Sequence, residues 1–325
     1  MPFMDKVRGH KAAKEALLNG IAENKVGHAY IFEGKKGVGK MTLAKAFASE
    51  ITNPKIQAES NPDIMIVTNE RYDVDKKTFS IDTVRLMRND VYIRPYFDGR
   101  KVFIIPEADN MGIEAQNGLL KVFEEPPEYC TIILLVENAN MLLDTIRSRA
   151  VKIRLLPLDE NDVKEYLINC GTDKGKADIA AIMSKGSIGK ALTFVNSDED
   201  IALREETLNC IFKLTENRKS IYDFSAFLKQ NRASIDLVIE ILFDWSYDVL
   251  HLKTDNGYKV INTDKYDELK NFCKTITKKQ ALRLCEISSK YATYISANTN
   301  YKFAVQCMAM EYWEEIHGRS YRSAL

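Results

Sequence analysis

The sequence predicts an α/β domain built on a parallel sheet, followed by a small helical region and then a larger one. Three observations carry that expectation. Short apolar runs alternate with helical patterns through the first 155 residues. A glycine-rich segment joins the first run to a helix pattern at residues 34–40. Beyond Pro157 the strand-like runs stop and helix patterns continue alone.

The elements follow in order. A helix pattern over about 9–23 precedes the strand candidate HAYIF at 28–32. Further strand candidates are DIMIV at 63–67, KVFII at 101–105, TIILLV at 131–136 and VKIRL at 151–155. Most are nearly continuous apolar runs, the pattern of strands covered by helices on both faces. Helix patterns at about 40–50, 80–90, 112–124 and 140–148 lie between them. This alternation reads as a doubly wound α/β domain. Asp159, Glu160 and Asp162 then mark a helix start, where carboxylates suit the positive end of the dipole. Gly171, Gly175, Gly186 and Gly189 divide short helices as far as about 198. From about 200 the chain is helical. Ile235, Val238, Leu242, Trp245 and Val249 form one stripe at three- and four-residue spacing, widened by Leu237, Ile239, Ile241 and Phe243, so this helix is expected inside a bundle. A last pattern runs from Tyr301 to Ile316. The expected domains are 1–156, 157–198 and 199–325, with a soft link at 196–200.

Composition narrows the function classes. The 325 residues carry 46 Lys+Arg against 46 Asp+Glu, with 45% hydrophobic and 28% charged residues. That is ordinary for a soluble globular chain of roughly two or three domains. Zero net charge excludes a protein cationic over its whole surface and leaves a local basic face open. No apolar run reaches about 18 residues, so no membrane span is expected. The first residues lack a basic stretch followed by an apolar core, so no secretory signal is expected. The six cysteines have no CxxC spacing, which signals neither a zinc ribbon nor a disulfide framework. His10, His28, His251 and His317 have no ligand-like spacing among themselves.

The segment GKKGVGK at 34–40 supplies GxxxxGK between a strand and a helix. Glycines let the backbone curl so that its N–H groups face phosphates, with the helix N-terminus behind them. Gly34, Gly37, Gly39 and Lys40 are therefore candidate nucleotide-binding residues, Lys40 reaching the β- and γ-phosphates. The alternative is a glycine-rich turn with a solvated lysine. The next position, where a hydroxyl should hold Mg²⁺, is Met41. Thr42 is one residue late and about 100° around the helix, and a thioether is a soft ligand unsuited to a hard ion. Thr42 stays among the candidate cofactor contacts.

The partner motif, an apolar strand ending in Asp-Glu, reads KVFIIPEAD at 101–109. Pro106 stands where the Asp should be and offers neither carboxylate nor N–H. Glu107 could occupy the base position, and Asp109 is a distant replacement. Metal stabilisation is worth several kcal/mol in such transition states, which is several powers of ten in rate. Losing both anchors argues for a site that does not hydrolyse its nucleotide.

Together with HAYIFEG at 28–34, SIDTVR at 80–85, Arg94-Pro95 and Lys101-Val102, further segments carry a resemblance. NGLLKVFEEPP at 117–127 is similar to the "N-x-LLK-x-x-EEPP" hallmark of bacterial DNA polymerase III clamp-loader subunits. TIRSR at 145–149 resembles their SRC motif, with Ala150 in place of the Cys. GSIGKA at 186–191 resembles their second sensor, and NTNYKFA at 298–304 the start of their last collar helix. The resemblance runs from about residue 5 to about 315 and fits the delta-prime, or stator, branch best.

The resemblance implies an AAA+ P-loop core over 1–156, a helical lid over 157–198 and an oligomerising collar over 199–325. It implies a cytoplasmic replication protein that assembles with tau/gamma motor subunits and a delta subunit, and that reaches the sliding clamp and primed DNA through that assembly. As an assembly this belongs to a DNA polymerase holoenzyme, and membrane has no part in it. ATP or ADP would occupy the cradle without turnover. Arg149 would be catalytic in trans, reaching the ATP of a neighbouring motor subunit; the alternative is a surface arginine, or one paired with Asp144. Arg147 is adjacent and stays open. The alternatives for the whole chain are a motor subunit that hydrolyses ATP, or a stand-alone AAA+ DNA-associated protein.

Asn138 falls at the family's polar sensor, with a structural loop hydrogen bond as the rival reading. Lys190 falls at the second sensor, with a helix-end cation as its rival. Arg8 and His10 fall where the family lines an adenine pocket, with helix capping as the better reading. Lys121 is weighed as a phosphate contact, and Glu124 and Glu125 receive no catalytic role. Many family members bind zinc through four cysteines after the first core helix. Residues 51–61 here contain neither Cys nor His, so no zinc is expected.

Overall fold

The computed structural model describes residues 3–75, 79–97, 99–254, 260–297 and 299–318. Its chain divides into two compact units, Met1–Thr193 and Phe194–Leu325.

The first unit is an α/β domain. Helix α1 (Lys11–Ala22) leads into β1 (Ala29–Glu33), α2 (Lys40–Thr52), β2 (Ile64–Ile66), α3 (Ile81–Val91), β3 (Lys101–Ile105), α4 (Ile113–Glu124) and β4 (Cys130–Val136). A short α5 (Asp144–Arg147) precedes β5 (Val151–Arg154). The strands are all parallel, in the order β2-β3-β4-β1-β5.

Period-two side-chain alternation splits each apolar run between two cores. Ile31, Phe103, Ile105, Ile132 and Leu134 pack with Val84, Met87, Leu119 and Val122 from α3 and α4. Tyr30, Phe32, Ile104, Ile133 and Leu135 pack with Leu17, Leu43 and Phe47 from α1 and α2. Both faces are buried, which is why β3 and β4 carry no exposed position. On β5 only Ile153 is buried. Lys152 and Arg154 are exposed there, charges that blunt an edge strand.

The predicted helix at 140–148 resolves into a 3₁₀ turn at Ala139–Met141 and the single turn of α5. Leu142 and Leu143 between them are extended, and Leu142 is buried.

Three helices follow the sheet: α6 (Glu160–Asn169), α7 (Lys174–Met183) and α8 (Ile188–Asn196). Asp159 caps α6 by accepting from Asn161 N at 2.9 Å. Asp173 caps α7 by accepting from Gly175 N at 2.8 Å. Gly175 and Gly189 therefore lie inside first turns and do not separate helices. The expected soft link at 196–200 shrinks to Ser197, whose hydroxyl caps the next helix through Asp200 N.

The second unit is all helical: α9 (Asp198–Leu214), α10 (Ser220–Gln230), α11 (Ile235–Leu252), α12 (Tyr266–Thr275), α13 (Lys278–Ser296) and α14 (Tyr301–His317). α11 packs against α9, α12 and α13. The stripe read from the sequence is buried along its length, with Trp245 and Leu242 sealed from solvent. α13 opens with a capping box between Thr277 and Gln280. In the segment at 298–304, Asn298 lies outside the described residues, and Asn300 caps α14 through Phe303 N.

Candidate nucleotide cradle and arginine site

The loop between β1 and α2 turns on Gly37 and Gly39, which take φ +77 and +105. Such values cost a side-chain-bearing residue but not glycine. Gly34 is needed for a different reason. A Cβ there would lie 2.7 Å from Leu155 O. The loop opens on a cavity of about 740 Å³ lined by Lys36–Thr42, by Glu107 and Asp109, and by residues of α6 and α8.

Lys40 curls back over this loop. Its Nζ donates to Gly34 O and, at 3.0 Å, to Lys35 O. Burial pulls its pKa below the ordinary lysine value, and Glu137, Asp109 and Glu107 oppose that pull. Gly37, Gly39, Lys40 and Thr42 come together around one space, and Gly34, which does not line it, is tied to it through the bond from Lys40. Thr42 is exposed on its rim.

His10 joins the cradle from the other side. Its Nε2 lies 2.9 Å from Val38 O, and since a carbonyl only accepts, the ring nitrogen donates. The helix-capping reading of this position holds in its place in the chain but not in a side-chain contact. It stands at the N-cap of α1 in the left-handed region, and its side chain makes no cap bond. Burial lowers its pKa, partly offset by the bond to Val38. Arg8 is exposed on the cavity edge.

The N-terminal end of α8 sits directly on the phosphate loop. Gly189 N donates to Gly37 O at 3.0 Å, and Ser187 Oγ donates to Lys36 O at 3.2 Å. A Cβ on Gly189 would come within 2.9 Å of Gly37 Cα. Lys190, the expected second-sensor residue, is exposed. The cavity is lined from this helix by Ile188, Gly189 and Leu192.

On the acidic side, Pro106 and Glu107 follow β3 and line the cavity, with Glu107 exposed and at φ +47. Asp109 Oδ2 accepts from Glu137 N at 2.8 Å and Asn138 N at 3.2 Å, so it ties down the loop after β4. Asn138 Oδ1 accepts from Asn140 N at 3.0 Å, the structural hydrogen bond weighed for it. Glu33 Oε1 accepts from Ala139 N at 3.0 Å, and buried Gln116 bridges Met111, Met141 and Leu143. Neither the Glu33 tie nor the Gln116 bridge is announced by a motif.

The residues fit a phosphate group through the loop amides and Lys40. They do not fit Mg²⁺ at the two usual anchor positions. Met41 is half-buried against the α1–α2 core, and Pro106 has no ligand atom on its side chain. Among the described residues no group of three or more His, Cys, Asp or Glu could hold a metal ion. No helix among them is long and apolar enough to cross a membrane.

Arg149 lies after α5, with its side chain 40% exposed. Asp144 pairs with Arg147, so the pairing of Arg149 with Asp144 is replaced. Arg149 Nη2 faces Glu124 Oε1 at 3.5 Å, and Nη1 donates to Thr145 O at 3.1 Å. Arg147 also donates to Asn140 Oδ1 at 2.9 Å and is three-quarters covered. Lys121 is exposed on α4, as are Glu124 and Glu125 at its end.

A parallel sheet of this order, with a phosphate loop after its first strand and helices following, defines an AAA+-like P-loop protein. A protein-family profile described as "DNA polymerase III, delta subunit" matches residues 9–159. DNA polymerase III subunit delta' of Bacillus subtilis is 27% identical over 274 residues, covering 78% of this chain and 81% of that protein. Subunit tau/gamma of Haemophilus influenzae is 32% identical over 186 residues, 53% of this chain but only 26% of that protein. A gamma subunit-related protein of Thermotoga maritima aligns in structure over 93% of this chain and 99% of that one, with TM-score 0.49 and 16% identity. In sequence the chain is thus similar to bacterial DNA polymerase III clamp-loader subunits, over most of its length to a delta' subunit and over about half of it to a tau/gamma subunit.

Proposed function

We propose that this chain is the delta-prime-type stator of a clamp loader, helping place a sliding clamp on primed DNA without hydrolysing ATP itself. One observation carries the reading. The cradle and Lys40 are kept, while the two positions that would hold a divalent ion are Met41 and Pro106. ATP or ADP then sits on Gly34, Gly37, Gly39 and Lys40, with Thr42 at the rim, and stays intact. Zinc has no part in this reading. Arg149 acts in trans on the ATP of a neighbouring tau/gamma subunit, where a planar cation meets developing phosphate charge. Its greater exposure favours it over Arg147, which Asp144 and Asn140 hold. Residues 157–198 serve as lid and 199–325 as collar, which joins the motor and delta subunits.

The retained cavity and lysine favour one rival, a motor subunit that hydrolyses its own nucleotide. The test is ATP turnover with Mg²⁺ and primed DNA, by the chain alone and in the loader reconstituted with its cognate subunits. The stator reading expects no turnover from the chain alone. It expects Arg149→Ala to lower loader turnover by about tenfold or more, with the mass of the complex unchanged. Turnover by the isolated chain at motor-subunit rates sinks the reading, and an unchanged rate in the Arg149→Ala loader removes the finger.

A further inference from the structure

The two most distinctive sequence segments of this chain, at 117–127 and 145–149, meet in space at one ion pair. Glu124 is the last residue of α4. A carboxylate at a helix C-terminus is disfavoured by the helix dipole, so its presence there calls for a cation. Arg149 is that cation, with Nη2 at 3.5 Å from Oε1. The other terminal nitrogen donates to Thr145 O at 3.1 Å. Both outer nitrogens of the guanidinium are thus engaged on the arginine's own chain. Those are the two groups a phosphate would take in a forked contact.

We infer that Glu124 is a positioning residue that holds Arg149 in a resting orientation, and that it competes with the neighbouring subunit's phosphates for the guanidinium. This rests on the reading of Arg149 as an arginine supplied in trans. The side chains of Glu124 and Arg149 are 54% and 40% exposed, so the pair is weak enough to open. It costs the engaged state a little and keeps the arginine oriented until a phosphate arrives. No covalent step is involved, and the arginine stays protonated throughout.

The experiment measures ATP turnover of the reconstituted loader with primed DNA, using wild-type chain, Glu124→Gln, Arg149→Ala and the double variant. Glutamine keeps the length of the side chain and removes the charge. Removing a competitor raises turnover at limiting ATP, by about two- to fivefold for a surface pair. A folding or packing defect does not raise turnover, so the direction separates this role from a structural one. The double variant should match Arg149→Ala alone, since the effect runs wholly through that arginine. Unchanged or reduced turnover in Glu124→Gln, with Arg149→Ala still impaired, overturns the resting-partner role and leaves the trans arginine standing. A gain that persists in the double variant also overturns it. Unchanged turnover in Arg149→Ala overturns the reading beneath it.

Discussion

His10 shows how a single side chain can matter for the cradle without belonging to any motif. Its backbone takes φ +50, uncommon for a residue with a side chain, and its ring donates to Val38 O. Burial disfavours the imidazolium, so the folded pKa lies below the free value near 6.5. The unfolded chain therefore takes up the proton first. Stability falls as pH drops through about 6.5 and goes on falling until the folded pKa is passed. Wild type should lose more of its urea midpoint between pH 7.5 and 5.5 than His10→Gln, which can still donate to Val38. Equal losses in the two proteins would show that this ring does not titrate across folding. The phosphate loop itself was legible, because its glycines and lysine are contiguous and each has a local reason. The clasps from His10 to Val38 and from Glu124 to Arg149 were not, because each joins residues brought together only by the sheet and its helices.

At the level of elements, nearly continuous apolar runs located β1 to β4, since burial on both faces leaves no other pattern, while the edge strand β5 showed as a run broken by Lys152 and Arg154. Glycine was the less reliable guide. Gly175 and Gly189 looked like breaks and proved to be first-turn residues, one beside the Asp173 cap and one where α8 meets the phosphate loop. Gly186 does sit outside a helix, at φ +81. A Cβ there would lie 2.4 Å from Leu158 O and 2.7 Å from Leu158 N. Those are backbone atoms, and Leu158 N also donates to Gly186 O at 3.0 Å, so neither strand of this contact can give way. Gly171 offers the control, with φ +90 and nothing within 4 Å of an added Cβ. Gly186→Ala should cost about 2 kcal/mol or more and Gly171→Ala about 1 kcal/mol. Thermal unfolding followed by circular dichroism ranks them, and equal shifts would mean that the backbone clash contributes nothing beyond the dihedral.

Across the whole molecule, zero net charge conceals charges placed inside. In the sequence the helical unit was marked only by apolar periodicity, yet Arg204 is 3% exposed in α9. Its guanidinium makes a fork with Asp264, at 2.8 Å to each oxygen, and also donates to Asn262 Oδ1 at 2.8 Å. Asp248, buried in α11, accepts from Ile261 N, Asn262 N and Asn262 Nδ2 at 2.7–2.9 Å. Two helices thereby hold the segment leading into α12 by polar bonds that no hydrophobic period reveals. Breaking such a buried pair by deleting one partner typically costs 3–5 kcal/mol, because the other is left without its counter-charge. Asp264 keeps 26% of its side-chain surface in solvent, which places Arg204→Ala toward the low end, at about 3 kcal/mol. Arg204→Lys should recover only part of this, since an ammonium cannot fork onto a carboxylate. Both tryptophans, Trp245 and Trp313, lie in this unit, so fluorescence during urea unfolding reports on it directly. A midpoint for Arg204→Lys that matched wild type would mean that charge alone, and not the forked geometry, is what the fold requires there.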